Sequence, residues 1–190
     1  MKLVIAGNNK DKIKEIKEIT CGVFDEVFTL SELGVFEEIE ETGATFMENA
    51  LIKARTASKL TGFAALSDDS GLSVDALFGA PGIYSARYAG EPVDHQKNID
   101  KLLFALKDER DRRAGFITVV CLYFPDGRTV FAEGRCEGEI LTSRRGTGGF
   151  GYDPVFYSYD LKKSFAEALP EEKNSVSHRG RALRKLVSLL

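Results

Sequence analysis

Apolar runs alternate with amphipathic stretches in the first third of the chain, and this alternation constrains the fold more than any other feature. The stretch KLVIA at 2–6 is bounded by GNN and predicts a buried first strand. An amphipathic helix then begins near Asp11, and DEVFTL at 25–30 predicts a second strand. A longer helix covers ETGATFMENALIKARTASKL, and FAALS at 63–67 predicts the strand that follows it. Strands that alternate with helices in this way predict an α/β protein.

The middle of the chain has a different pattern, in which two β-rich stretches are joined by a turn. AGFITVVCLYF and RTVFAEGRCEG are connected through PDGR, which predicts a hairpin. A helix over DHQKNIDKLLFALKDERDRRA precedes them, and SHRGRALRKLVSLL predicts a C-terminal helix. We therefore expect a mixed sheet. The length suits a single domain over residues 1–190, with one or two lobes.

Charge and hydropathy exclude several classes of partner. The net charge of −3 argues against a nucleic-acid-binding protein, although it leaves room for a small phosphorylated ligand. MKLVIAG is too short for a secretory signal, and no apolar run reaches membrane-spanning length. The three cysteines show no C-x-x-C spacing, and Cys121 lies in a stretch typical of a core strand. We expect a cytoplasmic protein with no membrane or nucleic-acid partner.

The stretch AGNNKDK combines a strand end, a short loop and a helix start. Free backbone N–H groups and the positive end of the helix dipole make such a loop an anion cradle, and Lys10 and Lys12 add positive charge. Glycine and asparagine also occupy such loops for turn geometry alone, so both interpretations remain open at this point.

Two groups of carboxylates are candidates for metal chemistry. EEIEETG is for the most part a solvated acidic loop, but Glu41 directly precedes its Thr-Gly turn and can face a site together with Asp69. Carboxylate and phosphate oxygens suit Mg²⁺. Neighbouring side chains on an extended backbone point to opposite faces, so Asp68 and Asp69 need not share one environment. We expect Asp68 to support the site and the Ser70-Gly71 pair to turn the chain away from the strand.

The stretch RRGTGGFGYDPVF has four glycines within six positions. Such a density indicates close backbone approach or unusual dihedral angles. Phe150 and Tyr152 are either core aromatics on a tight structural turn or a platform on which a base stacks. The pattern alone does not separate the two.

The stretch EEKNSVSHRGRAL starts the last predicted helix with cationic side chains. Ser177 is a suitable N-cap, but His178 and Arg179 in the first turn oppose the helix dipole. An anionic or acceptor-rich ligand would offset this conflict. Together with Lys173, these residues predict a binding site.

Six stretches occur in the order in which they are found in one known family: NNKDK, EETGATFMENALIKA, SDDSGL, GAPGIYSARY, GTGGFGYDPVF and EEKNSVSHRGRAL. Together they resemble the inosine/xanthosine triphosphate pyrophosphatase family over nearly the whole chain. The resemblance implies a two-lobed α/β fold with a long central mixed β-sheet flanked by helices and an active-site cleft between the lobes. It also implies hydrolysis of non-standard purine nucleoside triphosphates (ITP, dITP and XTP) to the monophosphate and pyrophosphate, with Mg²⁺ as cofactor and a homodimer as the assembly.

The resemblance further implies the site residues. The phosphate loop is Gly7, Asn8, Asn9, Lys10, Asp11 and Lys12. The metal ligands are Glu41 and Asp69, and Asp69 is also the general base. The remaining substrate contacts are Lys53, Ser70, Phe150, Gly151, Tyr152, Asp153, Lys173, His178 and Arg179. Gly7 departs from the family pattern, which commonly has Thr or Ser there, and so a hydroxyl contact to phosphate is missing.

Base selection and two rival functions complete the sequence-based hypotheses. Hypoxanthine and xanthine carry an acceptor at O6 where adenine carries an amino group, so the donors of His178 and Arg179 would favour the 6-keto bases. A pyrophosphatase of similar architecture that acts on modified pyrimidines or on standard triphosphates is the nearer rival. A nucleotide-binding regulator without turnover is the other.

Overall fold

The computed structural model describes residues 2–190. Over these residues the strands form one seven-stranded sheet, in the order β2-β1-β3-β4-β5-β6-β7. The strands are β1 (Lys2–Ile5), β2 (Glu26–Thr29), β3 (Ala64–Val74), β4 (Arg113–Tyr123), β5 (Thr129–Ile140), β6 (Phe156–Ser158) and β7 (Lys163–Ser164). Strand β1 runs parallel to both β2 and β3, whereas β6 is antiparallel to β5 and β7. The predicted α/β fold with a mixed sheet is confirmed.

Five α-helices accompany the sheet in the part of the chain that the structure describes. They are α1 (Lys10–Ile19), α2 (Phe46–Thr61), α3 (His95–Ala105), α4 (Pro170–Val176) and α5 (His178–Val187). The predicted helices at both ends of the chain are therefore present, and Gly62 ends α2 in the left-handed conformation, as expected of a glycine C-cap. The sequence patterns placed the start of α5 after Ser177, as observed, but did not predict α4.

The described chain divides into two compact units, each with its own core. The first comprises the described residues up to Asp69 together with Thr118–Gly134 and Arg179–Leu190, and its core includes Leu3, Leu66, Leu122 and Leu183. The second comprises Ser70–Ile117 and Arg135–His178, and its core includes Leu72, Leu102, Phe156 and Phe165. Residue 1 lies outside the described residues. The single domain over 1–190 and the cleft between two lobes stay predictions.

The path of strand β3 shows that one prediction from the sequence was wrong. Ser70 and Gly71 do not turn the chain, because the strand continues through them to Val74. The strand lies inside the sheet with neighbours on both sides, and Gly71 is buried. The extended conformation of β3 within the sheet therefore outweighs the local turn preference of Ser-Gly. As a result, Asp68 and Asp69 project from the middle of a central strand.

No helix within residues 2–190 combines the length and the apolar character that crossing a membrane requires.

Candidate functional site

The loop between β1 and α1 is held by its own asparagine. Asn9 Oδ1 accepts hydrogen bonds from the backbone N–H groups of Asp11 at 3.0 Å and Lys12 at 3.1 Å. The helix therefore has an N-cap, and two of its first N–H groups are already bonded. Asn8, Lys10 and Asp11 are exposed, and a Cβ built on Gly7 contacts nothing within 4 Å. The backbone thus does not demand glycine at the position where the family commonly has Thr or Ser.

The Asp68 side of β3 is a charge-balanced cluster. Asp68 Oδ2 accepts from Arg179 Nε at 3.1 Å and from Arg179 Nη2 at 3.0 Å, and it lies 3.3 Å from Lys12 Nζ. The Nη1 atom of Arg179 donates to Glu15. Two cations and two carboxylates therefore meet here, and the Arg179 side chain is 1% exposed.

Burial and these neighbouring charges set the pKa values of Asp68 and Lys12. Burial acts to raise the pKa of Asp68, but the charges of Lys12 and Arg179 outweigh it and hold this pKa well below the usual range. The pKa of Lys12 is lowered, chiefly by burial and further by Lys53 and Arg179, although Asp68 acts in the opposite direction. Asp68 is therefore a permanent anion that holds two cations in place.

The Asp69 side of β3 has a different charge balance. Asp69 Oδ2 accepts from Asn49 Nδ2 at 3.1 Å, and Asp69 Oδ1 lies 3.8 Å from Lys53 Nζ. The same Lys53 ammonium donates to Glu41 Oε1 at 2.8 Å. Two carboxylates therefore share one ammonium. Burial raises the pKa of Asp69 and Glu41 adds to the rise, while Lys53 and Lys12 oppose it.

This arrangement fits a bound dication. Within residues 2–190 no group of three or more His, Cys, Asp and Glu side chains is close enough to form a metal site. Mg²⁺, however, keeps several waters and needs only one or two carboxylates in addition to substrate phosphates. Glu41 and Asp69 are oxygen donors that both lie within 4 Å of one cationic nitrogen, so a cation at this place already has two carboxylates beside it.

Close contacts and positive φ angles explain two glycines of the glycine-rich loop in the second unit. A Cβ on Gly146, whose φ is 78°, would lie 2.5 Å from the carbonyl carbon and oxygen of Ala166. A Cβ on Gly149 would lie 2.1 Å from Asp153 Oδ2, with φ at 71°. The expectation of close approach and unusual dihedral angles is confirmed at both positions.

The two aromatic residues of this loop have different surroundings. Tyr152 is buried in the core of the second unit, and its hydroxyl donates to the Ser85 carbonyl at 2.8 Å. Phe150 is half-buried, and Lys173 Nζ lies 4.6 Å from the centre of its ring. The loop is therefore both a structural turn, through Tyr152, and a partly accessible aromatic surface, through Phe150.

Asp153 connects the loop to helix α4. Its Oδ2 accepts from the Phe150 backbone N–H at 2.9 Å and from Lys173 Nζ at 2.7 Å, and both charged side chains are less than a tenth exposed. This ion pair fixes the Lys173 ammonium over the Phe150 ring. A π-face beside a buried cation can hold a planar ring that carries acceptors.

The remaining predicted contacts are distributed over both units. His178 is buried and stacks on Phe116, with ring centres 4.7 Å apart and planes 12° apart. Ser70 is half-buried on β3, and Gly151 has a φ of 60°. The structure brings together Asn9 and Lys12, then Glu41 with Lys53 and Asp69, and finally Phe150 with Asp153 and Lys173.

Sequence reasoning missed two residues that touch this chemistry. Asn49 holds Asp69 and accepts from the Gly43 N–H at 2.8 Å, so it joins β3 to the loop that carries Glu41. It lies one helical turn before Lys53, and that i, i+4 spacing could have indicated a shared face. Glu15 follows Lys12 by three residues and offers a similar signal.

Comparisons with known proteins identify the family. Residues 3–189 match the sequence model of the Ham1 family. A protein of Desulforamulus reducens named dITP/XTP pyrophosphatase is 52% identical, with 100% of this chain and 96% of that protein aligned. A protein of the same name from Bacillus anthracis is 49% identical over 97% of this chain and 93% of its own length.

Solved structures agree as well. The Ham1 protein of Staphylococcus aureus superposes with a TM-score of 0.89 at 44% identity, and the match covers 100% of this chain and 97% of that one. A HAM1 protein of Coxiella burnetii gives 0.91 at 43% identity, covering 100% and 98%. Because the family model and these relatives match the chain along almost its whole length, the resemblance drawn from its six stretches is confirmed, and the chain belongs to the Ham1 family.

Proposed function

We propose that this chain hydrolyses non-standard purine nucleoside triphosphates, namely ITP, dITP and XTP, to the monophosphate and pyrophosphate, and so removes them from the nucleotide pool. The observation that carries the proposal is that two carboxylates, Glu41 and Asp69, converge on the single ammonium group of Lys53. On the other side of β3, Asp68 instead pairs with two cations, Lys12 and Arg179. Relatives that align over nearly their full length are named dITP/XTP pyrophosphatase.

Phosphate recognition is assigned to the loop of residues 7–12 and to Lys53. Lys12 is held by Asp68 rather than by solvent, so its ammonium group loses little conformational entropy when it meets a phosphate. Backbone N–H groups of Gly7 and Asn8 supply further donors, since those of Asp11 and Lys12 already bond Asn9. A triphosphate carries about four negative charges, so we expect it to need these donors together with a bound metal ion.

Hydrolysis is assigned to Asp69. Its carboxylate accepts a proton from a water molecule whose oxygen attacks the α-phosphorus, and the bond between that phosphorus and the oxygen bridging to the β-phosphorus breaks. Pyrophosphate leaves with the electron pair of that bond. The raised pKa of Asp69 makes it a stronger base than an ordinary aspartate, and Asn49 fixes its orientation. Mg²⁺ held by Glu41 and Asp69 would supply charge neutralisation for the leaving pyrophosphate.

Base recognition is assigned to the second unit and to the start of α5. Phe150 stacks on the purine, with Gly151, Tyr152 and Asp153 shaping the loop around it. We assign Lys173, His178 and Arg179 as donors for O6, and Ser70 as a further substrate contact. For Arg179, which is 1% exposed and paired with Asp68 and Glu15, this assignment requires the guanidinium to become accessible when the nucleotide binds. A 6-keto purine would satisfy these donors and the amino group of adenine would not, so we expect a preference over adenine nucleotides.

A substrate panel tests the proposal. Purified protein with Mg²⁺ is assayed for pyrophosphate release from dITP, XTP, dATP, dGTP and dUTP. We expect kcat/KM for dITP and XTP to exceed that for dATP by at least about 100-fold, because the donors for O6 would be left unpaired against the amino group of adenine. Equal hydrolysis of dITP and dATP would remove the base-reading assignment. Binding of dITP without pyrophosphate release would make the protein a regulator instead, and preference for dUTP would favour the pyrimidine rival.

Assembly and location are part of the same proposal. We place the protein in the cytoplasm, where nucleoside triphosphates are made and used, and we propose a homodimer because the family resemblance implies one. Sedimentation of the purified protein over a range of concentrations tests the dimer.

A further inference from the structure

We propose that Lys53 is a resident counterion, which pairs with Glu41 and Asp69 in the nucleotide-free protein and must release them before both can bind a divalent cation. The inference rests on the proposed function, because it concerns the same carboxylates. It adds that the free protein has a low metal affinity and that nucleotide and metal bind with positive coupling.

The first argument is the position of the Lys53 ammonium. Its Nζ lies 2.8 Å from Glu41 Oε1 and 3.8 Å from Asp69 Oδ1, so it contacts the very oxygens that a metal would need. A divalent cation beside these atoms would be close to a positive nitrogen. The lysine and the metal therefore compete for one set of oxygens.

The second argument is that Lys53 has little freedom to leave on its own. It is 7% exposed and projects from α2, a helix fixed by a Thr45–Glu48 capping box at its start and by Gly62 at its end. Since the side chain is buried, its charge cannot simply turn into bulk water. Another anion must take the place of the carboxylates as its partner.

The third argument is the asymmetry of the two carboxylates. Asp69 is buried and held through its Oδ2 by Asn49, whereas the Glu41 side chain is 34% exposed and stands on a loop outside the helices and strands. Glu41 is thus the ligand that an incoming cation reaches first. The Glu41–Lys53 hydrogen bond is then the contact that has to break.

A triphosphate supplies the exchange partner. When its oxygens take over the Lys53 ammonium, Glu41 and Asp69 lose their compensating charge and attract a cation more strongly. Linkage requires the reverse effect as well, so the metal raises affinity for the nucleotide by the same factor.

Direct metal titration of the nucleotide-free protein tests the inference. Mn²⁺ is the probe, and its free concentration is followed by electron paramagnetic resonance. We expect Lys53→Met to bind Mn²⁺ at least about tenfold more tightly than the wild type, because a positive charge within 4 Å of both carboxylates is removed. Lys53→Arg keeps the charge and should bind Mn²⁺ as weakly as the wild type. Lys59→Met, an exposed lysine on the same helix, is the matched control and should change nothing.

The coupling is measured by repeating the titration with the α,β-methylene analogue of dITP. The analogue should tighten Mn²⁺ binding in the wild type at least about tenfold, and clearly less in Lys53→Met, where no ammonium has to move. If Lys53→Met does not fold, Lys53→Gln replaces it, because its amide can still bond Glu41 without a charge. Thermal unfolding confirms that each variant is folded.

Two results would overturn the inference. One is equal Mn²⁺ affinity in wild type and in the neutral Lys53 variants; the other is a wild-type protein that binds Mn²⁺ equally well with and without the analogue. Neither measurement requires the protein to hydrolyse a nucleotide. A protein that binds Mn²⁺ as expected but releases no pyrophosphate from dITP or XTP would contradict the proposed function alone.

Discussion

Asp68 and Asp69 are adjacent on one strand, are equally buried, and have opposite pKa shifts. Asp68 faces two cations, and the pKa of its carboxyl is lowered. Asp69 shares one lysine with Glu41, and burial together with Glu41 keeps its pKa raised. The alternation of side chains along an extended backbone gives each carboxylate its own neighbours. The difference shows that charge balance, rather than burial alone, separates a structural carboxylate from one suited to proton transfer.

The largest effect should come from removing the Asp69 carboxylate. We expect Asp69→Asn to lower kcat for dITP by about 10³-fold or more, because it removes the general base and a metal ligand together. Thermal unfolding should change little, since an amide can still bond Asn49. Near-normal kcat with Mg²⁺ would remove Asp69 from both roles. Asp75→Asn, an exposed residue close to the end of the same strand, is the control and should keep full activity.

The matching substitution on the other side of β3, Asp68→Asn, should mainly lower the free energy of unfolding. Asp68→Asn leaves the buried Arg179 guanidinium and the Lys12 ammonium with too little negative charge, and breaking a buried pair in this way costs about 3–5 kcal/mol. Urea unfolding of the nucleotide-free protein measures this cost. If Asp68→Asn kept its stability while Asp69→Asn lost it, the comparison between the two sides would be reversed.

This contrast was only partly predictable from the sequence. Alternation along a strand predicted separate surroundings for Asp68 and Asp69, and the structure confirms it. The partners were not predictable, because Arg179 lies 111 residues from Asp68 and 164 from Glu15 along the chain. Local patterns hold no information on contacts of that range.

The same lack of information on distant contacts explains why the sequence did not identify the anion beside the last helix. A cation in its first turn predicted an anionic ligand that offsets the helix dipole. For Arg179 the structure provides two carboxylates of the protein itself, Asp68 and Glu15. A local conflict therefore indicated a real anion but did not reveal whether that anion belongs to the protein or to a ligand. The turn expected at Ser70-Gly71 was wrong for a related reason, since pairing within the sheet outweighs local preference.

A smaller change removes one of the two carboxylates on the Asp68 side. Glu15→Gln removes one of the two anions beside Arg179 and should lower the free energy of unfolding by about 2 kcal/mol, the usual range for a lost hydrogen bond to a charged group. Glu18→Gln removes an exposed carboxylate one turn later on α1 and should stay within about 0.5 kcal/mol of wild type. Chemical denaturation of both variants under one condition measures the difference. Equal losses would mean that Glu15 contributes no more than a surface charge.

The smallest expected effect is the pH dependence of kcat/KM that arises from Lys12, which pairs with Asp68. Burial lowers the pKa of Lys12 from the ordinary lysine value of 10.5, so its ammonium is lost at a lower pH than that of an exposed lysine. The kcat/KM for dITP should therefore fall as pH rises, with a midpoint below 10.5. Between these two pKa values the unfolded chain holds more protons at this residue, so the contribution of Lys12 to stability increases with pH. Rising pH should therefore lower kcat/KM through Lys12 while it increases the contribution of Lys12 to stability. Unfolding caused by this residue cannot explain the loss of activity.

Lys12→Arg separates this titration from that of the substrate. A guanidinium stays charged throughout the range, so the alkaline fall due to residue 12 should move to higher pH in the variant. Titration of the hypoxanthine base is common to both proteins and cancels in the ratio of their profiles. Profiles that coincide for Lys12→Arg and wild type would show that the alkaline fall belongs to another group. Asp68 would then hold Lys12 for structure alone, and phosphate binding would rest on Lys53 and the backbone of the loop.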